Sequence, residues 1–113
     1  MPGFDFLTTT YNNIVNKVNF VGLLRLQLDT NEHVDYKLEK GTTTIGRHSD
    51  NDIVINHPSV SNKHARLNHE DNYFLTDLRS SNGTFINGKK ILHSKLADGD
   101  AINFAGVNAT FYK

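Results

Sequence analysis

The amino-acid sequence predicts an all-β sandwich, and three observations carry that reading. From Gly22 onward apolar residues recur at every second position, the period of a strand with one buried face. Glycine, asparagine, aspartate, proline and serine break these runs at close intervals, as turns between short strands do. Asn87-Gly88 stands between two strand-like runs and is the strongest short hairpin signal in the chain. A chain of 113 residues supports one such domain.

Taken in order, residues 1–21 read as an N-terminal extension and residues 22–113 as the domain. In the extension Leu7, Tyr11, Ile14 and Val18 recur at helical spacing and Asp5 is placed to cap, whereas Thr8, Thr9 and Thr10 disfavour a helix. The extension therefore reads either as a short amphipathic helix or as a tail. Leu24, Leu26 and Leu28 alternate with Arg25 and Gln27, the first strand. Val34 to Leu38 and Thr43 to Gly46 follow, then the short apolar run Asp52 to Ile55. Ala65 to Asn68 and Tyr73 to Leu78 form a pair around Glu70-Asp71-Asn72. Thr84 to Ile86 and Lys89 to Leu92 flank the Asn87-Gly88 turn. Ala101 to Phe104 and Ala109 to Tyr112 complete about ten short strands.

Composition narrows the function. Twelve basic and twelve acidic residues cancel, without a basic tract, so neither nucleic acid nor an anionic membrane is an expected partner. Cysteine is absent, which removes disulfides, thiol nucleophiles and thiolate metal sites and favours a reducing, cytoplasmic setting. No signal-peptide pattern or long apolar span appears. His57, His64 and His93 lack paired metal-ligand spacing, and Asp98 and Asp100 flank a glycine turn without the further carboxylates calcium needs. No serine has an evident histidine and acid partner, and there is no phosphate loop of the P-loop type. A binding module without catalytic residues, metal or cofactor is the expectation.

Three blocks carry the chemistry of binding: Gly46-Arg47, Ser61-Asn62-Lys63-His64 and Ser80 to Gly88. Arg47 offers a permanent charge on a planar donor fork that matches phosphate oxygens. Ser61 and Ser81 add hydroxyl donors, and Asn82 carries a donor and an acceptor together. All sit in loops or at strand ends, where recognition residues gather at one end of a sandwich. His64, between a loop and an apolar run, reads as a buried hydrogen-bonded support.

The strings Thr44 to Ile55 (T-I-G-R-H-S-D-N-D-I-V-I), V-S-N-K-H-A and L-R-S-S-N-G-T-F-I-N-G-K, followed by L-A-D-G-D-A-I-N-F, resemble a forkhead-associated (FHA) domain over roughly residues 23–113. The resemblance implies an eleven-stranded FHA-type β-sandwich that binds phosphothreonine in an extended peptide through the loops at one end. It further implies that Arg47 and Ser61 hold the phosphate, that Asn62 and Ser81 touch the phosphopeptide, and that Asn82 bonds the peptide main chain. Gly46, His64 and Gly83 match positions that shape the site without contacting ligand. Two departures stand out: Ser81 replaces a frequent threonine and keeps its hydroxyl, and Asn62 replaces a frequent arginine and so removes a cation.

The expected partner is a phosphothreonine-containing protein made by an upstream serine/threonine kinase. The alternative is a phospho-independent scaffold in a multiprotein assembly. Thr8, Thr9 and Thr10 add one further expectation: phosphorylated, they would be candidates to fold back into the chain's own site.

Overall fold

The computed structural model describes residues 21–113. The helical and threonine-cluster readings of the extension lie outside the described residues. Eleven strands form two sheets and no helix occurs among the described residues. The strands are β1 (Gly22–Gln27), β2 (His33–Leu38), β3 (Gly41–Gly46), β4 (Ile53–Val54), β5 (Ala65–His69), β6 (Tyr73–Asp77), β7 (Thr84–Ile86), β8 (Lys89–Lys90), β9 (His93–Lys95), β10 (Ala101–Phe104) and β11 (Val107–Tyr112). One sheet has the order β2-β1-β11-β10-β7-β8, the other β4-β3-β5-β6-β9. All pairings are antiparallel except β3 with β4.

The period-two pattern does what it predicts. Leu24 and Leu26 of β1 turn inward, as do Phe104 of β10 and Phe111 of β11. They meet Ile45, Leu67 and Leu75 from β3, β5 and β6, and six of these seven side chains are entirely shielded from solvent along with Leu38. Burying each contributes on the order of 1.5–3 kcal/mol. At the far end of the sandwich the Gly22 amide donates to the Tyr73 hydroxyl at 2.5 Å, and a Cβ there would lie 2.8 Å from the ring.

Three differences from the sequence reading have physical causes. Leu28 leaves β1: its amide donates to the Glu32 carbonyl at 2.8 Å, closing a turn that also places Asn31 at φ 66°. His93–Lys95 forms a strand, β9, that carries no apolar alternation because it is an edge bonded only to β6. Within the run Lys89 to Leu92 only Lys89 and Lys90 form β8: Ile91 N still donates to the Thr84 carbonyl of β7 at 2.9 Å, but the Leu92 carbonyl accepts from Asp77 N at 2.8 Å, crossing to the other sheet. The hairpin between β7 and β8 forms as expected, with Asn87 at φ 51° and Gly88 at φ 83°, the two positive angles of its two-residue turn.

The pairing registers fix where the loops go. Ile45 pairs with Ala65 and Ala65 with Asp77, so the loops after β3, before β5 and after β6 share one end. Phe104 pairs with both Thr84 and Val107, bringing the β10–β11 turn to that end from the other sheet. None of the helices among the described residues is long and apolar enough to cross a membrane, there being no helix at all.

Candidate functional site

Four connections converge at this end: the β3–β4, β4–β5 and β6–β7 loops and the β10–β11 turn. Their backbones are stitched directly. Arg47 N donates to the Ser61 carbonyl at 3.0 Å, His64 N to the Ile45 carbonyl at 3.0 Å, and Ala105 N to the Gly83 carbonyl at 3.1 Å. Such bonds satisfy loop groups that would otherwise be costly to shield from water.

Arg47 follows the last residue of β3 and is exposed. Its Nε donates to the Val60 carbonyl at 2.9 Å. That bond commits the inner edge of the guanidinium, and among the described residues no acceptor engages its two terminal nitrogens. The planar fork therefore points outward with four N–H donors available. Ser61 is half-buried, and its Oγ accepts from Ser81 N at 3.0 Å. A hydroxyl that accepts in this way keeps its own proton to give. Ser81 is exposed at the same junction. Asn82 is also exposed and donates from Nδ2 to the Ser59 carbonyl at 2.8 Å, which fixes the direction of its amide and leaves Oδ1 without a partner among the described residues.

Asn62 is exposed, and its backbone rather than its side chain is engaged. The carbonyl accepts from Asn51 Nδ2 at 2.8 Å and from His48 N at 3.3 Å. It also presses on Gly46, where an added Cβ would overlap the Asn62 carbonyl oxygen and lie 2.8 Å from Asn51 Nδ2. Glycine at 46 is thus a matter of space. Gly83 is a matter of conformation, with φ 92° and a Cβ position only 3.1 Å from the Phe85 ring.

His64 lies beneath the loops, wholly shielded from solvent. Its Nδ1 accepts from Ser61 N at 3.1 Å, so the ring proton sits on Nε2, which faces the Gly83 carbonyl at 3.0 Å.

A second tier of residues escaped the sequence reading. Asp77, at the end of β6, accepts at Oδ1 from Ser80 Oγ (2.6 Å) and Thr84 Oγ1 (2.7 Å), and at Oδ2 from Ser80 N (3.1 Å). Ser80 Oγ in turn accepts from Gly83 N at 2.9 Å. Burial works to raise the Asp77 carboxyl, but the hydrogen bonds from Ser80 and Thr84 outweigh it and hold the group below the ordinary carboxylate value. Ser59 similarly joins the β4–β5 loop to the β10–β11 turn, its Oγ lying 2.6 Å from the Ala105 carbonyl and from His57 Nδ1. The readable signal was Asp77-x-x-Ser80, an aspartate placed to organise the turn that follows it.

The five residues expected to touch a ligand thus lie on three adjoining loops: Arg47 and Ser61 joined through the backbone, Ser61 and Ser81 through a hydroxyl, Asn82 one residue further on. Outward-facing donors dominate. His48 is the imidazole beside Asp50, at 3.5 Å, and neither Arg47 nor the exposed Lys63 and Arg79 has a carboxylate within ion-pair range among the described residues. An array of unpaired cations and free donors can hold a multiply charged oxyanion. Among the described residues no group of three or more histidine, aspartate or glutamate side chains is placed to hold a metal.

Comparison with known proteins agrees with the fold and the loop motifs. The FHA domain family model matches residues 43–105. The glycogen accumulation regulator GarA of Mycobacterium tuberculosis is 32% identical over 90 residues, covering 79% of this chain and 56% of GarA. An oxoglutarate dehydrogenase inhibitor from Corynebacterium diphtheriae is 31% identical over 91 residues, covering 80% of this chain and 64% of that protein. The chain therefore spans little more than half to just under two thirds of the length of these curated relatives. A solved FHA domain, studied for phosphothreonine-dependent interactions, superposes with a TM-score of 0.74 at 30% identity, over 80% of this chain and 96% of that one. EmbR of Mycobacterium tuberculosis, solved with a low-affinity phosphopeptide, superposes with a TM-score of 0.74 at 32% identity, over 93% of this chain and 30% of EmbR.

Proposed function

The chain belongs to the FHA domain family, and from that premise we propose that it is a phosphothreonine-dependent binding module. The phosphate is held by the Arg47 fork with hydroxyls from Ser61 and Ser81, and the partner's main chain by Asn82. Asn62 contributes at the rim. The observation that carries the reading is the state of Arg47: Nε is anchored on the Val60 carbonyl while the charged fork faces outward without a carboxylate partner among the described residues.

The chemistry follows from these groups. A phosphothreonine presents about −1.5 to −2 charges and three acceptor oxygens at neutral pH. Two parallel bonds from Arg47 neutralise one edge of the phosphate. Ser61 keeps a proton for a third oxygen while its lone pair fixes Ser81 N. Each charge-assisted bond is worth about 1.5–3 kcal/mol, so three of them, less the cost of ordering the peptide, suit micromolar binding. Asn82 reads main chain and so holds an extended peptide in register without selecting its sequence. Nothing in this scheme moves a proton or breaks a bond, so the role is recognition and not catalysis. A reader of this kind acts downstream of a serine/threonine kinase, and we place it in the cytoplasm with the kinase's products.

Two kinds of comparison support the reading: one solved relative was studied for phosphothreonine-dependent interactions, and another was solved with a phosphopeptide. The test is capture of a degenerate phosphothreonine peptide pool by the immobilised protein. Binding should appear with the phosphothreonine pool, weaken with phosphoserine and vanish after phosphatase treatment. Equal capture of treated and untreated pools would replace this function with a phospho-independent scaffold.

A further inference from the structure

The chain holds two Asn-Gly pairs, and the structure treats them differently. In such a pair the glycine nitrogen, unhindered by a Cβ, can attack the preceding side-chain amide carbon. Asn82-Gly83 lies in the ligand loop and Asn87-Gly88 at the tip of the β7–β8 hairpin, both asparagines being exposed. Each side-chain amide is tied down, Asn82 Nδ2 to the Ser59 carbonyl at 2.8 Å and Asn87 Nδ2 to Asp100 Oδ1 at 2.9 Å. The glycine nitrogens differ. Gly88 N–H has no acceptor among the described residues, whereas Gly83 N–H is given to Ser80 Oγ at 2.9 Å.

Ser80 is well set for that task. Its hydroxyl proton goes to Asp77 Oδ1 at 2.6 Å, which turns a lone pair toward Gly83. Its own amide donates to Asp77 Oδ2 at 3.1 Å and holds the backbone in place, and the side chain cannot swing away from Gly83 without also breaking its hydroxyl bond to Asp77. The Gly83 nitrogen must lose its proton to act as a nucleophile, and the hydrogen bond to Ser80 opposes both that loss and the rotation needed for attack.

We infer that Asn82-Gly83 is a latent self-modification site that Ser80 holds closed, and that its conversion silences the ligand site. In the reaction Gly83 N bonds to Asn82 Cγ and the Cγ–Nδ2 bond breaks. Ammonia leaves with the proton released from Gly83, giving a cyclic imide. Water then opens the ring at either carbonyl to aspartate or isoaspartate. Either product replaces the Nδ2 donor with a carboxylate, which repels both the Ser59 carbonyl and an incoming phosphate. The isoaspartate product also inserts a methylene into the loop whose Gly83 carbonyl meets His64. The effect on binding rests on the function proposed above; the chemistry at Asn82 is read by mass and does not depend on it.

The test compares wild type with Ser80→Ala, Ser80→Thr and Thr84→Val, each kept folded at mildly alkaline pH and then mapped by peptide mass spectrometry. Conversion at Asn82 is expressed relative to Asn87 in the same molecule. Losing one hydrogen bond corresponds to about tenfold, so Ser80→Ala should raise the ratio by about that factor. Ser80→Thr keeps the hydroxyl, and Thr84→Val removes a different bond to the same Asp77 carboxylate; both should leave the ratio near that of wild type. A ratio unchanged or lowered in Ser80→Ala, or raised as much by Thr84→Val, overturns the inference. Converted wild type should also fail to bind the phosphothreonine peptide pool that unconverted protein binds. Should unconverted protein ignore the pool, the proposed function fails, and the mass ratio still decides the inference.

Discussion

His64 donates from Nε2 to the carbonyl oxygen of Gly83 across 3.0 Å, from a position with no solvent exposure. Through Nδ1 the same ring accepts from Ser61 N. One buried side chain thus sets the distance between the loop that carries Ser61 and the loop that carries Ser81 and Asn82. Its ring also meets Phe104 edge-on at 5.9 Å, so the core supports it from below.

Replacing His64 by alanine should cost about 3–5 kcal/mol, combining a cavity with the orphaned Ser61 N–H and the loss of one of the two bonds to the Gly83 carbonyl. His64→Phe fills the volume and should still cost about 1–3 kcal/mol, because Ser61 N is left without a partner while the Gly83 carbonyl keeps only its bond from Ala105 N. Urea unfolding of both variants measures this. If His64→Phe is as stable as wild type, the ring is a filler and not a tie.

Gly46→Ala forces its methyl into the Asn62 carbonyl oxygen, a backbone atom with no rotamer to yield. The strain should cost about 1–3 kcal/mol and should displace the β4–β5 loop. The expected result is a lower urea midpoint together with weakened capture of the phosphothreonine peptide pool. A stable variant with wild-type capture would show that the loops do not need this close approach.

Asp77 supplies a pH dependence of definite sign. Its carboxyl is held below the ordinary value of 3.8 in the folded protein. A depressed folded value means its contribution is complete above the ordinary carboxylate range and is lost as pH falls through the folded value. Wild type should therefore lose stability more steeply below about pH 4 than Asp77→Asn, and the two curves should converge in acid. Parallel curves from pH 7 to pH 2 would contradict the assignment.

Arg79, exposed in the β6–β7 loop, holds φ 57°, a left-handed conformation that side chains disfavour. Arg79→Gly relieves that cost, partly offset by the freedom glycine gains when unfolded, and should raise stability by up to about 1 kcal/mol. Thermal unfolding reads the change. A lower midpoint would mean that the arginine side chain contributes more than its backbone costs.

The alternation of apolar residues made most strands legible, because a half-buried sheet writes its period directly into residues such as Leu24, Leu26 and Leu67. Asn87-Gly88 made the hairpin legible for a local reason, since its turn needs two positive φ angles. β9 was not legible because an exposed edge strand has no buried face to announce it. Within the site, Arg47, Ser61 and Asn82 could be picked out by side-chain chemistry. Asp77 and Ser80 left only the local signal of an aspartate three residues before a serine, and Ser59 left none, because its bond to the Ala105 carbonyl, 46 positions away, is one that only the packed fold creates. Gly46 was flagged by motif alone; its physical reason, contact with Asn62, needed the same long-range geometry.

The most direct measurement is titration calorimetry of a phosphothreonine peptide selected from the pool, against wild type, Arg47→Lys and Arg47→Ala. Arg47 is exposed and makes one side-chain bond among the described residues, to the Val60 carbonyl, so both variants should unfold close to the wild-type midpoint. Lysine keeps the charge and loses the fork, and should bind about tenfold more weakly. Alanine should bind at least about a hundredfold more weakly, corresponding to loss of about 3 kcal/mol or more of charge-assisted bonding. Folded Arg47→Ala that binds the phosphothreonine peptide with wild-type affinity would contradict the account at its centre.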